Sequence, residues 1–525
     1  MNPATGMGYT GEPPPLRFNM ARYCLARGAA ERPDKIALIV VSNANAPLAA
    51  AEQWTYAALD DAVRRIAGGL LALGLRPGER LMIRMPNTSD YALLFFGAIA
   101  AGIVPLPTSA LLTEAEVEFL LADSDAAAVA VAGDLPLHCA ASRRVLDESA
   151  IQRLKKSAPL PDYADTAAED PAFLVYTSGT SRRPKGVLHA QRSAWGRRPM
   201  YQGWYGIRSD EVMLHAGAFN WTYTLGVGLT DPWANGATTV LYNGPKDVQV
   251  WPRLMATTQA TLFAAVPTLY RQILKYCDLA RHDLAALRHG LTAGEALSPA
   301  LLAEWRKATG LELYEALGMS ECSTYVSNGP GVAVRPGSPG KPQPGRAITV
   351  LPLEDGTEPL PIGETGLLAI HRNDPGLMLG YWRRPEEEAL VYRGKWFIGG
   401  DLAAVAADGY LWYHGRADDL MNAGGYRVSP AEVEAALADH PAIAEVAVAE
   451  LAIREEVRII AAYVVPKDGA PRDASSILTQ AEQRLAAYKR PREVIFVDSL
   501  PRTPNGKVAR RLLAEQNTRP SASHR

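Results

Sequence analysis

The sequence predicts an α/β fold with two domains, on three observations. Short apolar strands alternate with amphipathic helices over most of the chain, as in open layers with mainly parallel strands. At 525 residues the chain exceeds what a single hydrophobic core supports. Composition then shifts within "YLWYHGRADDLMNAGGYRVSPAEVEAALADHPAIAEVAVAEL", which places a boundary at Arg416 to Asp419. The expected layout is a large domain of layered α/β sheets over 1–416 and a small α+β domain over 417–525.

The elements follow in order. Leu59, Val63, Ile66, Ala67, Leu70 and Leu73 recur at helical spacing, and Gly74 ends that helix. A turn over Leu75 to Gly78 leads to a strand beginning at Leu81, Met82 and Ile83. "YALLFFGAIAAGIVPLP" reads as a buried helix running into a strand. Its two glycines and proline, and its length below the ~20 residues of a membrane span, argue against insertion in a bilayer. "AAAVAVAG", "AFLVYTSG" and "TLFAAVP" are further short strands. In the small domain Ser429, Pro430 and Glu432 form a helix start of the S-x-x-E capping type. "AEVAVAEL" and "VRIIAAYVVP" then read as a strand pair, and the tail "NTRPSASHR" as disordered.

Bulk properties exclude several classes. A net charge of −2 gives no general attraction to nucleic acid or to an anionic membrane surface. The N-terminus lacks the basic-then-apolar order of a secretory signal. Cys24, Cys139, Cys277 and Cys322 form no C-x-x-C pair, so a reducing cytoplasm and no zinc site are expected. Each of the nine histidines stands alone, and a structural role is expected for each.

Chemistry concentrates in "LVYTSGTSRRPKGVLH", Leu174 to His189. An apolar strand runs directly into Thr177, Ser178, Gly179, Thr180 and Ser181, then Arg182, Arg183 and Lys185. Small residues leave backbone N–H groups free to converge on an anion, and the lysine adds a point charge, so phosphate is the expected ligand. The spacing matches neither a Walker A loop nor a G-x-S-x-G nucleophile elbow.

"YTSGTSRRPKG" resembles the phosphate loop of the adenylate-forming superfamily of acyl- and aryl-CoA ligases, peptide-synthetase adenylation domains and luciferases. The family's other signatures occur in order: "AGEALS" at Ala293 to Ser298, "YEALGMSE" at Tyr314 to Glu321, "WFIGGD" ending in Asp401, "HGRADD" with Arg416 and Asp418, and "LPRTPNGKVARR" with Lys507. The resemblance covers residues from about 50 to 515. It implies a two-step reaction. A carboxylate attacks the α-phosphate of ATP, pyrophosphate leaves, and a thiol then displaces AMP from the acyl-adenylate. The first step gathers negative charge, so oriented cations and Mg²⁺ are its catalysts.

By the same resemblance, Thr177, Ser178, Gly179, Thr180 and Lys185 embrace the departing phosphates, and Glu321 ligates Mg²⁺. Gly294, Glu295 and Ala296 contact adenine, with Glu315 beside its amino group. Asp401 accepts the ribose hydroxyls and Arg416 supports them. Lys507 reaches the α-phosphate and the substrate carboxylate, and the smaller domain rotates about Asp418 between the two half-reactions. The rotated state brings Gly424 and Gly425 to a pantetheine tunnel, with Arg427 near phosphate. Coenzyme A is the expected acceptor, since no attached carrier segment is present. A stand-alone ligase that loads a carrier protein is the alternative, and a non-catalytic nucleotide-binding regulator is the reading from a different class. A homodimer, and a lysine acyltransferase that switches the enzyme off at Lys507, belong to the same set of expectations.

The sequence departs from the family pattern at three places. Leu317 replaces the aromatic of the G-x-T-E motif, Gly399-Gly400-Asp401 replaces Thr-Gly-Asp, and Ser181-Arg182-Arg183 makes the phosphate loop more cationic. Leu317 resembles benzoate-type ligases, whereas "DDLMNAGGYR" with Asn422 resembles acetate and medium-chain ligases. The expected acyl pocket is lined by Phe219, Asn220, Trp221, Tyr223, Ala293, Leu317 and Gly318. Its bulky aromatics suit a benzoate- or cyclohexanecarboxylate-like acid, ahead of a branched or medium-chain one. No acidic residue near 219–223 is available to pair the ammonium group of an amino acid.

Overall fold

The computed structural model describes residues 8–133, 135, 143–177, 184–417, 419, 421–423, 426–454, 457–502, 508–510 and 512–513. The chain divides into two compact units. The first covers positions up to 297, 301–348 and 370–397; the second covers 298–300, 349–369 and everything from 398 on.

A nine-stranded sheet forms the centre of the first unit. Its spatial order is Lys341–Pro342, Ser323–Ser327, Leu313–Met319, His289–Ala293, Leu262–Ala265, Val212–His215, Thr238–Tyr242, Ile36–Val41 and Glu52–Thr55. The six inner strands, from Leu313–Met319 to Ile36–Val41, run parallel. The outer ones turn antiparallel. Leu262–Ala265 and His289–Ala293 are buried along their whole lengths, which is why they read as unbroken apolar runs rather than alternating ones. A second sheet, ordered Val104–Thr108, Arg80–Arg84, Ala128–Val131 and Arg144–Leu146, is entirely parallel.

Helix Tyr56–Ala72 buries Leu59, Val63, Ile66, Ala67 and Leu70, the stripe that the spacing predicts. Thr55 caps it by accepting from the Ala58 N–H, and Gly74 leaves it at φ +88°. Leu73 lies just past the last turn and is exposed, so the stripe is one residue shorter than expected. Helix Ser89–Ala100 is buried almost all round, as a core helix is. No helix among the described residues is long and apolar enough to cross a membrane. Cys24, Cys277 and Cys322 carry free thiols; Cys139 lies outside the described residues.

The second unit includes an α+β segment. Strands Ile443–Arg454 and Val457–Pro466 pair antiparallel, as expected, and Glu493–Phe496 joins them in parallel. Helices Pro430–Leu437 and Ala474–Arg484 supply Val433, Leu437, Ile477 and Ala481 to a core with Val448, Ile460, Ala462 and Val464. Ser429 stands at the helix start, but the capping box does not form. Its hydroxyl donates to the His414 carbonyl, and Glu432 pairs with Lys489 at 2.5 Å. Tertiary partners win over the local pair.

Candidate functional site

The phosphate-loop expectation lands on the end of a hairpin. Strands Pro171–Thr177 and Lys185–Ala190 pair antiparallel, and their last rung joins Thr177 to Lys185. Both ends of the connecting segment are therefore fixed by the ladder. Ser178, Gly179 and Thr180 lie outside the described residues. Strand Gly380–Tyr381 pairs with the outer side of Lys185–Ala190, placing Tyr381 opposite Val187.

Through Tyr381 the hairpin reaches Glu321. The Lys185 ammonium lies 5.0 Å from the centroid of the Tyr381 ring, a cation–π contact, and the Tyr381 hydroxyl donates to Glu321 Oε1 at 2.8 Å. Glu321 is tied at its backbone by the Met378 N–H, 2.7 Å from its carbonyl. Lys185 Nζ also sits 2.5 Å from Glu387 Oε2. The expected phosphate cation and the expected metal ligand thus share one cluster with two residues that sequence reasoning missed, Tyr381 and Glu387. Their stretch, "GYWRRPEEE", carries no spacing that would bring it over Lys185. A single oriented carboxylate is a hard oxygen donor and fits Mg²⁺, an ion that takes one or two protein carboxylates and fills its shell with phosphate oxygens and water. No cluster of three or more acidic, histidine or cysteine ligands occurs among the described residues.

The turn after His289–Ala293 is held from the neighbouring strand. Gly294 takes φ +91°, and a Cβ there would lie 3.2 Å from the Trp221 ring. The Glu295 carboxylate accepts from the Thr268 hydroxyl at 2.8 Å, and Ala296 is exposed. Glu315, opposite Thr292 in the parallel register, is buried and accepts from the Leu297 N–H at 2.9 Å. Burial pushes its carboxyl up to about 7, opposed by that hydrogen bond. Glu315 therefore clamps the turn that holds Gly294, Glu295 and Ala296. Leu317 stands opposite Val326, and the bulge after it brings Gly318 so close to the next strand that a Cβ would meet the Ser323 carbonyl at 2.4 Å.

The acyl segment is fixed by a residue that sequence reasoning also missed. The Asn87 amide donates to the Gly217 carbonyl at 2.6 Å and accepts from the Phe219 N–H at 3.1 Å. Tyr91 adds a 2.9 Å bond to the Phe219 carbonyl. Its flanking aromatics then separate. The Phe219 ring packs 5.5 Å from Tyr91, in the core around helix Ser89–Ala100. Trp221 and Tyr223 meet edge to face at 5.2 Å in another cluster, with Trp204, Ala293 and Ala316. Asn220 between them is half-buried. The structure thus joins Trp221, Tyr223, Ala293 and Gly294, and sets Phe219 apart from them.

In the second unit Asp401 and Arg416 stand opposite each other on paired strands. Asp401 is buried; its Oδ1 is 3.3 Å from the Tyr413 hydroxyl and 3.5 Å from Arg416 Nη1. Arg416 Nη1 also donates to the Gly399 carbonyl at 2.6 Å. Gly400 takes φ +83°, with Arg416 Nη2 3.0 Å from where a Cβ would be, so the Gly-Gly-Asp stretch of strand Trp396–Val405 leaves room for that guanidinium. Burial and the Asp401 charge hold the Tyr413 hydroxyl protonated. Arg427 lies in the short strand Tyr426–Val428, opposite Asn422. Arg502 and Val508 pair across the segment that contains Lys507. Lys507, Asp418, Gly424 and Gly425 themselves lie outside the described residues.

This arrangement of hairpin, turn and paired strands has known counterparts. The family model for AMP-binding enzymes matches residues 25–382, and the model for their C-terminal domain matches residues 432–507. The chain belongs to the AMP-binding enzyme family. This AMP-binding enzyme is 33% identical to the benzoate–CoA ligase of Thauera aromatica over 480 residues, 88% of this chain and 90% of that one. It is 30% identical to the human mitochondrial acyl-coenzyme A synthetase ACSM5 over 498 residues, 88% of this chain and 84% of that one. Among solved structures, a benzoate CoA ligase from Burkholderia xenovorans LB400 superposes with a TM-score of 0.85 at 31% identity, covering 95% of this chain and all of that one.

Proposed function

We propose that this AMP-binding enzyme is an AMP-forming ligase that joins a small aromatic carboxylic acid to coenzyme A. The observation that carries the reading is the cluster of Lys185, Tyr381 and Glu321 at the end of the phosphate hairpin. It sets a cation and a fixed carboxylate side by side, as the triphosphate and Mg²⁺ of a nucleotide require. Glu321 would hold the metal, whose charge helps pyrophosphate to leave. Thr177 to Thr180 and Lys185 bind the departing phosphates, displacing Glu387 from Lys185. Gly294 to Ala296 receive adenine on the turn clamped by Glu315, and Asp401 with Arg416 takes the ribose.

Lys507 then stabilises the charge that develops as the carboxylate attacks the α-phosphate. For thioester formation the segment from 417 onward rotates about Asp418, withdrawing Lys507 and presenting Gly424, Gly425 and Arg427 to coenzyme A. Acylation of Lys507 by a lysine acyltransferase would remove its charge and stop the first step. A cytoplasmic enzyme, working as a homodimer, completes the proposal.

The edge-to-face pair of Trp221 and Tyr223 beside Gly294 supports a ring acid, and the likeness to a benzoate–CoA ligase points the same way. A medium-chain acid is the second reading, supported by Asn422 in "DDLMNAGGYR" and by the likeness to ACSM5. The test is pyrophosphate release from ATP across a panel of aromatic, alicyclic and medium-chain acids. AMP and pyrophosphate are the expected products with a ring acid, and ADP with orthophosphate would overturn the mechanism.

A further inference from the structure

The rings beside the adenine turn form a row with a polar end. Trp221 lies against Gly294, Tyr223 meets Trp221 edge to face at 5.2 Å, and His215 meets Tyr223 edge to face at 5.0 Å. His215 closes strand Val212–His215 and is 3% exposed. Its Nδ1 accepts from the Gly217 N–H at 2.8 Å, which leaves the hydrogen of the neutral ring on Nε2. That Nε2–H has no hydrogen-bond partner among the described residues. The Tyr223 hydroxyl and Thr224 Oγ1, both buried, have none either. A Cβ on Gly217 would lie 2.7 Å from both His215 Cε1 and Thr224 Oγ1, so those two side chains converge beside that glycine.

Three buried polar atoms without partners, on residues packed side by side, are costly to the fold. Native interiors carry such groups where a ligand or water completes them. Resting on the ligase reading above, we propose that His215, Tyr223 and Thr224 bind an oxygen substituent on the acid, remote from its carboxylate, so that the substrate is a hydroxylated or oxo-substituted ring acid. The carboxylate reacts on the nucleotide side, near Gly294, and a ring lying along Trp221 and Tyr223 carries its far end toward His215.

The donor set selects the substituent. A phenolic oxygen can accept from Nε2–H and from one of the Tyr223 and Thr224 hydroxyls while donating to the other, so every group is paired. An unsubstituted ring pairs none of them. A ring amine is a poor acceptor and leaves Nε2–H unsatisfied. A second carboxylate would be a full charge in an apolar pocket with only neutral donors. Burial holds the imidazole neutral, pushing it down to about 3, so it donates from Nε2 alone across the working range.

The experiment measures kcat/KM for pyrophosphate release with benzoate, 3- and 4-hydroxybenzoate and 3- and 4-aminobenzoate. One hydroxylated isomer is expected to exceed benzoate and both amines by about 10²-fold, because a site built to pair a hydroxyl rejects acids that lack it. Tyr223→Phe and His215→Leu should each lower that ratio at least tenfold, the isosteric Phe serving as the variant least able to disturb folding. Equal kcat/KM for benzoate and the hydroxybenzoates, or variants that slow all acids alike, would overturn this inference and leave the ligase reading intact. No pyrophosphate release with any acid would overturn both.

Discussion

Arg197 and His215 are both buried in the first unit, in polar clusters separated by a short stretch of chain, yet their partners differ completely. Arg197 grips Asp231 with two bonds, Nε to Oδ1 at 2.7 Å and Nη2 to Oδ2 at 2.6 Å, and the Tyr205 hydroxyl donates to the same carboxylate at 2.6 Å. Ser323 takes a further Arg197 nitrogen, and Gly226 leaves the space that the guanidinium fills. His215, Tyr223 and Thr224 hold three polar atoms without partners among the described residues. Saturated charge fixes the architecture, whereas unsatisfied neutral groups keep binding capacity in reserve. Side chains that serve the fold should therefore fail in stability, and side chains that serve the chemistry should fail in rate.

The largest effect is expected at the saturated cluster. Arg197→Met strands Asp231 in the interior and should cost about 3–5 kcal/mol of unfolding free energy in urea titration. A loss below about 1 kcal/mol would end the contrast. On the chemical side, Lys507→Ala should lower pyrophosphate release by about 10²–10³ while sparing thioester formation from synthetic acyl-adenylate. Its urea midpoint should not move, and equal loss of both half-reactions would make the lysine structural.

Glu315 sharpens the comparison because it clamps a turn and is also titratable. Its folded value near 7 lies above the ordinary value of 4.5, so folding favours the protonated carboxyl. The stability it supplies is complete below pH 4.5 and is lost as pH rises through 7, on the order of 3 kcal/mol. Glu315→Gln should flatten the stability profile over that window, which urea unfolding at pH 5 and pH 8 would measure. The smallest effect concerns the Lys185–Glu387 pair, whose side chains are 17% and 30% exposed. With Lys185 binding phosphate as proposed, Glu387→Gln removes a competitor and should lower the KM for ATP about two- to fivefold, with the difference shrinking at high salt.

Local pattern in the sequence reaches some parts of the molecule and not others. The strand running into Thr177, the stripe of helix Tyr56–Ala72 and the strand pair after Ile443 were legible because each is set by near neighbours, whereas the return strand from Lys185 was not read. Tyr381, Glu387, Asn87 and Tyr413 were not, since they reach their places by sheet order and loop closure between segments distant in sequence or, for Tyr413, by a register bulge. Ser429 shows a local signal overruled, with its hydroxyl on His414 and the Glu432 carboxylate on Lys489. Phe219 shows the limit of counting aromatics, because its ring and that of Trp221 enter different clusters. His215 reads in the sequence as one more lone histidine; only the Gly217 bond to its ring makes Nε2 a donor.

The contact between Lys185 and Glu387 also bears on what the empty enzyme ignores. On the proposed reading Lys185 is a phosphate-binding cation, and a bare ammonium there would collect any small phosphate that diffused past. With a carboxylate already seated there, an arriving anion gains only the difference between two ion pairs. Orthophosphate, which has nothing else to offer, would be turned away at that exchange. ATP, with its adenine and ribose held elsewhere on the chain as proposed, would bring its phosphates to the lysine at a high effective concentration and displace the glutamate. On the proposed reading the internal carboxylate would act as a threshold that rewards a ligand for being large enough to hold on by its other end.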